Sequence, residues 1–202
     1  YSGIDGVAVG AKEAGLEIAW GLEILPRVAE VANANLGNHV RVGDILEADP
    51  YDFDYVDVLH ASPVCKRFSR ANTQIGETAE DVAHARKVVE FVTALKPKIF
   101  TLENVWLYRH SKSVRIIENA LCGAGYWLHI ELVNMADYGV PQTRKRLILR
   151  AVRSGFVPYL PQPSSEWRSW YSAVADLLDD MPECQLAPWQ LALMPAELTT
   201  ML

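Results

Sequence analysis

The sequence predicts an α/β fold built on a mostly parallel sheet. Short apolar stretches of strand length alternate with longer segments of helical periodicity, the pattern of strand–helix–strand units. Half of the 202 residues are apolar and 22% are charged, and the 12 Gly and 11 Pro are scattered, so the chain has the means to bury one core. The same composition excludes a disordered, collagen-like or coiled-coil chain.

Taken in order, Leu16 to Leu22 reads as a strand. Pro26 to about Leu36 follows as a helix, with proline at its first position, where a missing N–H is harmless. A short strand near Val40 to Val42 and a buried strand from Val56 to Ala61 come next. From Thr78 to Leu95 the positions Val82, Ala85, Val88, Val89, Val92 and Leu95 recur at helical spacing. Glu77, Glu80 and Asp81 stand at that helix's positive end, and Lys96-Pro97 stops it. Ile99 to Leu102 is a strand, and Ser113 to Cys122 a helix closed by Gly123 and Gly125. Trp127 to Val133 and Leu147 to Val152 form a closing strand pair, Pro158 to Ser165 a loop, and Trp170 to Leu178 a short helix. No internal repeat or low-complexity segment interrupts the pattern.

No stretch approaches the roughly eighteen apolar residues of a membrane span, and no signal peptide opens the sequence. Cys65, Cys122 and Cys184 lie far apart, with no C-x-x-C and no His at metal-ligand spacing. Neither a zinc site nor a disulfide framework is expected, and a soluble chain in a reducing cytoplasm is. The sequence begins Tyr1-Ser2-Gly3, as if cut inside a strand-to-glycine turn, and closes on the apolar stretch Leu186 to Leu202. Both ends read as those of an excerpt from a longer protein, or of one partner of a split one.

The net charge of −6 argues at first against a nucleic-acid partner. Its distribution points the other way. Lys66, Arg67 and Arg70 cluster, as do Arg109, Lys112 and Arg115, and Arg144, Lys145, Arg146, Arg150 and Arg153, whereas only acids follow Arg168. A basic centre with an acidic end is compatible with a phosphate-bearing partner held at one edge, and equally with solvated faces.

Ligands of open α/β sheets sit at the carboxyl ends of the strands. There the sequence offers Ser2-Gly3-Ile4-Asp5-Gly6, then Glu23, Gly43-Asp44, Pro63-Val64-Cys65 and Glu103-Asn104. A glycine turn lets backbone approach a nucleotide-like ligand, and an acid about twenty residues on accepts from ribose hydroxyls, the separation of Gly3 and Glu23. No full G-x-G-x-x-G is present. Asp5 would repel a pyrophosphate, so a cationic, ribose-bearing ligand fits better than a dinucleotide. Cys65 leaves an apolar strand into a polar loop where Lys66 and Arg67 favour the thiolate; the alternative is a small buried hydrophobe. Glu103 ends an apolar strand, where apolar walls would raise its pKa and let it act as an acid, unless it is a surface or capping acid. Arg144 and Arg146 share a face if a strand begins there, either in a site or as charges guarding a sheet edge.

Together these segments resemble the DNA cytosine-5 methyltransferases. Pro63-Val64-Cys65 with Phe68-Ser69, Glu103-Asn104-Val105 and Gln142-x-Arg144-x-Arg146 match that family's chemical motifs in order and distance, and Tyr1 to Gly6, Glu23 and Gly43-Asp44-Ile45 resemble its cofactor elements. Val64 stands where the family usually has Pro, Lys66 where it has Gln, and Asp5 where it has Gly. The resemblance implies a three-layer, Rossmann-like, S-adenosylmethionine-dependent fold with one reversed strand and helices on both faces. It implies Cys65 as nucleophile toward carbon 6 of a flipped cytosine, Glu103 holding ring nitrogen 3 and the exocyclic amine, and Arg146 on the base oxygen. Arg144 would steady the Cys65 loop and Asn104 its backbone. S-adenosylmethionine would lie among Tyr1, Gly3, Ile4, Glu23, Ile24, Asp44, Ile45 and Pro63, with S-adenosylhomocysteine as product.

By the same resemblance residues 1–160 form the catalytic domain, and 161–202 lead toward a target-recognition region that is not found in the sequence. The implied partner is DNA, with a second chain or segment supplying recognition, and the implied location is the cytoplasm, or an association with the nucleoid if the source is bacterial or phage. The alternatives are an RNA cytosine-5 methyltransferase and a non-catalytic remnant that binds S-adenosylmethionine or nucleic acid.

Overall fold

A computed structural model describes residues 1–64, 76–163 and 166–180. The elements are α1 (Gly6–Glu13), β1 (Gly21–Glu23), α2 (Pro26–Leu36), β2 (Val40–Val42) and β3 (Val58–Ala61), followed by α3 (Ala79–Leu95), β4 (Ile99–Val105), α4 (Lys112–Gly123), β5 (Trp127–Asn134) and β6 (Lys145–Val152). Among the described residues no helix is long and apolar enough to cross a membrane.

β1 and β2 pair in parallel, with Gly21 opposite Val40 and Glu23 opposite Val42. The larger sheet has the order β3-β4-β6-β5. β3 runs parallel to β4, and β6 runs antiparallel to both β4 and β5, so β6 is the one reversed strand. The expected sheet is thus present in two parts, with no ladder joining them among the described residues. The reason lies beside β1. Gly21 N–H donates to the His39 carbonyl, so β1 turns its Leu22 carbonyl to the other side. There the Tyr1 ammonium and Ser2 N–H both donate to it, at 2.6 and 3.0 Å, before the chain turns away at Gly3. Gly21 is required at this crossing: a Cβ there would lie 2.8 Å from Ser2 Oγ and 3.2 Å from Val40 Cγ2.

Helices cover opposite sides. Val40, register partner of Gly21, packs on Ala29 and Ala32 of α2. The adjacent Leu22 points the other way, into the core shared with α3 and α4. That core fills one face of the larger sheet. Leu59, Phe100, Leu102, Leu147 and Leu149 meet Val88, Phe91 and Val92 of α3 and Ile117 and Leu121 of α4. Each such side chain contributes about 1.5–3 kcal/mol by leaving water. Because strand side chains alternate, the same strands present His60, Thr101, Glu103, Arg146 and Arg150 on the other face. One face is apolar, and its reverse carries the chemistry.

Several elements differ from expectation. The strand expected over Leu16 to Leu22 shrinks to Gly21–Glu23, because its partner β2 is three residues long and supports no further ladder. α1 is not predicted at all, since its Gly6 and Gly10 lower the helical signal. In α3 the buried stripe runs through His84, Ala85, Val88, Phe91, Val92 and Leu95, leaving Val82 and Val89 half-buried. A capping box starts that helix, with Asp81 N–H donating to Thr78 Oγ1 and Thr78 N–H donating to Asp81 Oδ2. β4 continues past Leu102 to Val105, carrying Glu103 and Asn104 on the strand itself. The helix expected at Trp170 to Leu178 is instead two short 3-10 turns, Tyr171–Ala173 and Ala175–Asp180, with no buried residue. Without an apolar face to bury, an α-helix of that length has nothing to hold it.

Candidate active site

Glu103 and Asn104 are neighbours on β4 and point to opposite faces. Asn104 is buried on the core side, where its Nδ2 donates to the Pro63 carbonyl at 3.0 Å and its Oδ1 accepts from Val105 N–H. Glu103 lies on the polar face. Arg146 Nε donates to its Oε1 at 2.6 Å, Arg144 Nη2 donates to the same oxygen at 3.2 Å, and Ser62 Oγ donates to Oε2 at 3.0 Å. The apolar walls expected around this acid are therefore two guanidiniums and a hydroxyl. Charge-assisted bonds of this kind fix a carboxylate in one orientation.

Behind Ser62 stands His60, with Nε2 3.4 Å from Ser62 Oγ and Nδ1 2.8 Å from Thr101 Oγ1. Burial pushes the His60 pKa down to about 4, a shift that the nearby Glu103 only partly opposes. The ring is neutral at pH 7, and the directions of its bonds follow. Ser62 gives its proton to Glu103, so it accepts from His60 Nε2–H, and Thr101 Oγ1–H donates to Nδ1. Every donor in this chain points toward Glu103.

Residues 65–75 lie outside the described part, and with them Cys65, Lys66, Arg67, Phe68, Ser69 and Arg70. The strand leading into them is held at Glu103 through Ser62 and at Asn104 through Pro63, which is itself fully buried. On the far side of the gap, Glu77 caps α4 by accepting from the N–H groups of Lys112 and Ser113 at 2.8 and 2.7 Å.

The second group of predicted residues gathers at β1. Gly3 is left-handed (φ 60°) and donates its N–H to Glu23 Oε2 at 2.8 Å, while Leu25 N–H donates to Oε1 at 3.1 Å. Glu23 is buried and oriented by both bonds. Asp44 follows β2 and accepts from Leu46 N–H at 2.9 Å. Ile4 and Ile24 flank the turn, 66% and 56% exposed, whereas Ile45 packs against the core. Tyr1 lies over His84 and shares a 2.7 Å hydrogen bond with its Nδ1, and burial raises the phenol's pKa. Asp5 is not the bare acid the sequence implies: it is buried, and its Oδ2 meets His39 Nε2 at 2.5 Å. Its charge is spent on that pair, so it gives little ground for excluding a phosphate.

A family model, C-5 cytosine-specific DNA methylase, matches residues 1–192. The chain belongs to that family. It is 30% identical over 189 residues to the Type II methyltransferase M.NlaX of Neisseria lactamica, covering 91% of this chain and 59% of the relative. It is 30% identical over 200 residues to M1.HphI of Haemophilus parahaemolyticus, covering 91% and 52%. The S. pombe Dnmt2 methyltransferase structure aligns with TM-score 0.65 at 19% identity, over 91% of this chain and 65% of that one. Entamoeba histolytica EhMeth aligns with TM-score 0.67 at 19% identity, over 83% and 56%. The fold is the Rossmann-like methyltransferase fold, and this C-5 cytosine methylase chain spans about half the length of the curated relatives it matches.

Of the family residues in this methylase chain, the structure brings together Glu103, Arg144, Arg146 and Asn104, with Pro63 beside them, and separately Tyr1, Gly3, Glu23 and Asp44. Arg144, expected to steady the Cys65 loop, reaches Glu103, and that loop lies outside the described residues. Ser62, His60 and His39 were not legible as site residues, because a Ser before Pro and two isolated His carry no spacing signal. Only the alternation along β3, continued one residue past Ala61 so that His60 and Ser62 share a face, could have pointed to the first two.

Proposed function

We propose that this chain carries the cofactor-binding and catalytic part of a DNA cytosine-5 methyltransferase, with residues 1–160 as the catalytic unit. The observation that supports it most is the Glu103 clasp. The Glu103 carboxylate is held by Arg146 and by Ser62, and Ser62 stands three residues in sequence before the thiol that would attack the base.

The residues at β1 fit S-adenosylmethionine. The left-handed turn at Gly3 has open space where a Cβ would stand, Glu23 keeps acceptor capacity beyond its two backbone donors, and Ile4 and Ile24 offer apolar flanks for an adenine. When bound there, S-adenosylmethionine supplies an electrophilic methyl group. The protein's own part is to make carbon 5 of cytosine able to accept it. The Cys65 thiolate adds to carbon 6 of a base flipped from the duplex, forming a C–S bond and moving electron density to carbon 5. Glu103 holds ring nitrogen 3 and the exocyclic amine while this density develops, and Arg146 faces the base oxygen. Loss of the carbon-5 proton to a base then expels the Cys65 thiolate and restores the aromatic ring.

Calorimetry with S-adenosylhomocysteine tests the cofactor half. Glu23→Ala is expected to weaken binding by about tenfold or more, the worth of a charge-assisted hydrogen bond to ribose. Equal binding by both proteins would remove Glu23 from that role.

A further inference from the structure

At the glycine turn lies a buried Asp–His pair that the proposed reaction does not use. Among the described non-glycine residues only Asp5 and Lys96 have positive φ, and Asp5 sits at φ 69°, ψ 39°, directly before α1. Side chains rarely adopt that left-handed conformation, although Asp tolerates it better than most. In the N-cap position an Asp would normally accept from the helix's first N–H groups, and this one makes no such bond. Its carboxylate goes instead to His39 Nε2 at 2.5 Å, with side-chain exposures of 9% for Asp5 and 7% for His39.

The other ring nitrogen decides the character of the pair. His39 Nδ1 lies 2.6 Å from the Gly37 carbonyl oxygen, which can only accept. The carboxylate also accepts, so the ring is held between two acceptors, the Gly37 carbonyl on one side and Asp5 on the other. His39 cannot drift from this position. Its N–H donates to Asn33 Oδ1 at 3.0 Å, and its carbonyl accepts from Gly21 N–H at 2.9 Å. The turn that begins at Gly3 is thereby tied to the start of β2, the strand that delivers Asp44.

We propose that His39 is a positioning residue of the cofactor turn, its buried hydrogen bond with Asp5 holding in left-handed form a position where glycine would need no support. The inference rests on the reading of Gly3 to Asp5 as the cofactor turn. It makes a sharp demand: His39 should matter only while residue 5 is Asp. With glycine there, the left-handed turn is stable by itself and the histidine has nothing to hold.

A double-mutant cycle on the full chain tests this with Asp5→Gly, His39→Ala and both together. The first readout, without ligand, is amide hydrogen exchange at Gly3, Ile4 and Gly6, with Phe100 and Leu102 of β4 as internal references for global unfolding. The second is the Kd for S-adenosylhomocysteine. His39→Ala alone should speed exchange in the turn and weaken binding, each by about tenfold, with the β4 references unchanged. In the Asp5→Gly background it should change neither by more than about twofold. His39→Gln, which keeps one donor toward Asp5, should recover part of the loss. Equal effects of His39→Ala in both backgrounds, or faster exchange in β4 as well, would overturn the proposal. If the unaltered chain binds no S-adenosylhomocysteine, the cofactor reading fails by itself, and the exchange cycle still decides whether the pair holds the turn.

Discussion

Glu103 is visible in the sequence as an acid ending an apolar strand, but its surroundings come from residues far away in the chain. Arg146 stands 43 residues later and Ser62 41 residues earlier, and only strand register brings all three to one face. Ser62→Ala removes the donor on Oε2, and we expect a slower methyl-transfer step by about tenfold in single-turnover assays, partly restored by Ser62→Thr. An unchanged rate would show that the two arginines suffice. His60 yields a stability prediction of defined sign. Its folded-state pKa of about 4 lies below the usual 6.5, so below pH 6.5 the unfolded chain takes up a proton that the folded one refuses. The contribution is fully present above pH 6.5 and is lost as pH falls toward 4. Between pH 7 and pH 5 the loss is roughly 2 kcal/mol, at about 1.4 kcal/mol per unit. Urea unfolding at both pH values should show a decline in the unaltered chain that is smaller by that amount in His60→Gln; equal declines would mean that His60 is not the proton-linked group.

At the scale of elements, legibility followed the strength of local signals. α2 begins at Pro26 as its proline indicates, and α3 starts at the Thr78 cap. Glu103 and Asn104 were assigned to a strand end, yet β4 runs three residues further, because β6 offers it partners as far as Val105 opposite Arg146. Such an extension depends on a partner strand more than 40 residues away and cannot be heard locally. The apolar stripe of α3 is similar. Periodicity favours Val82 and Val89, while the fold buries Phe91 against Phe53 and Trp20. Phe91→Ala should therefore cost about 3–5 kcal/mol by leaving a cavity. Val82→Ala should cost under about 1 kcal/mol, since that side chain is half-buried. Equal costs in denaturant unfolding would restore the stripe read from the sequence.

For the whole molecule, the decisive arrangement is one sheet with unlike faces. α3 and α4 stabilise the apolar face, and the reverse carries His60, Thr101, Glu103 and the arginines at the ends of strands that the core holds rigid. A site on strands keeps its geometry better than one on loops. The proposed cofactor residues at β1 are tied to this frame through Leu22, which packs in the same core, and through Tyr1, which is hydrogen-bonded to His84 of α3. The central claim is that this frame serves attack by Cys65 on cytosine, and covalent trapping tests it most directly. The protein, expressed from its complete reading frame and given S-adenosylmethionine, is incubated with DNA containing 5-fluorocytosine, whose fluorine cannot leave as the proton does. A denaturation-resistant protein–DNA adduct should form, persist in Cys122→Ser and vanish in Cys65→Ser. An adduct that survives in Cys65→Ser, or one that forms on RNA and never on DNA, would contradict the account.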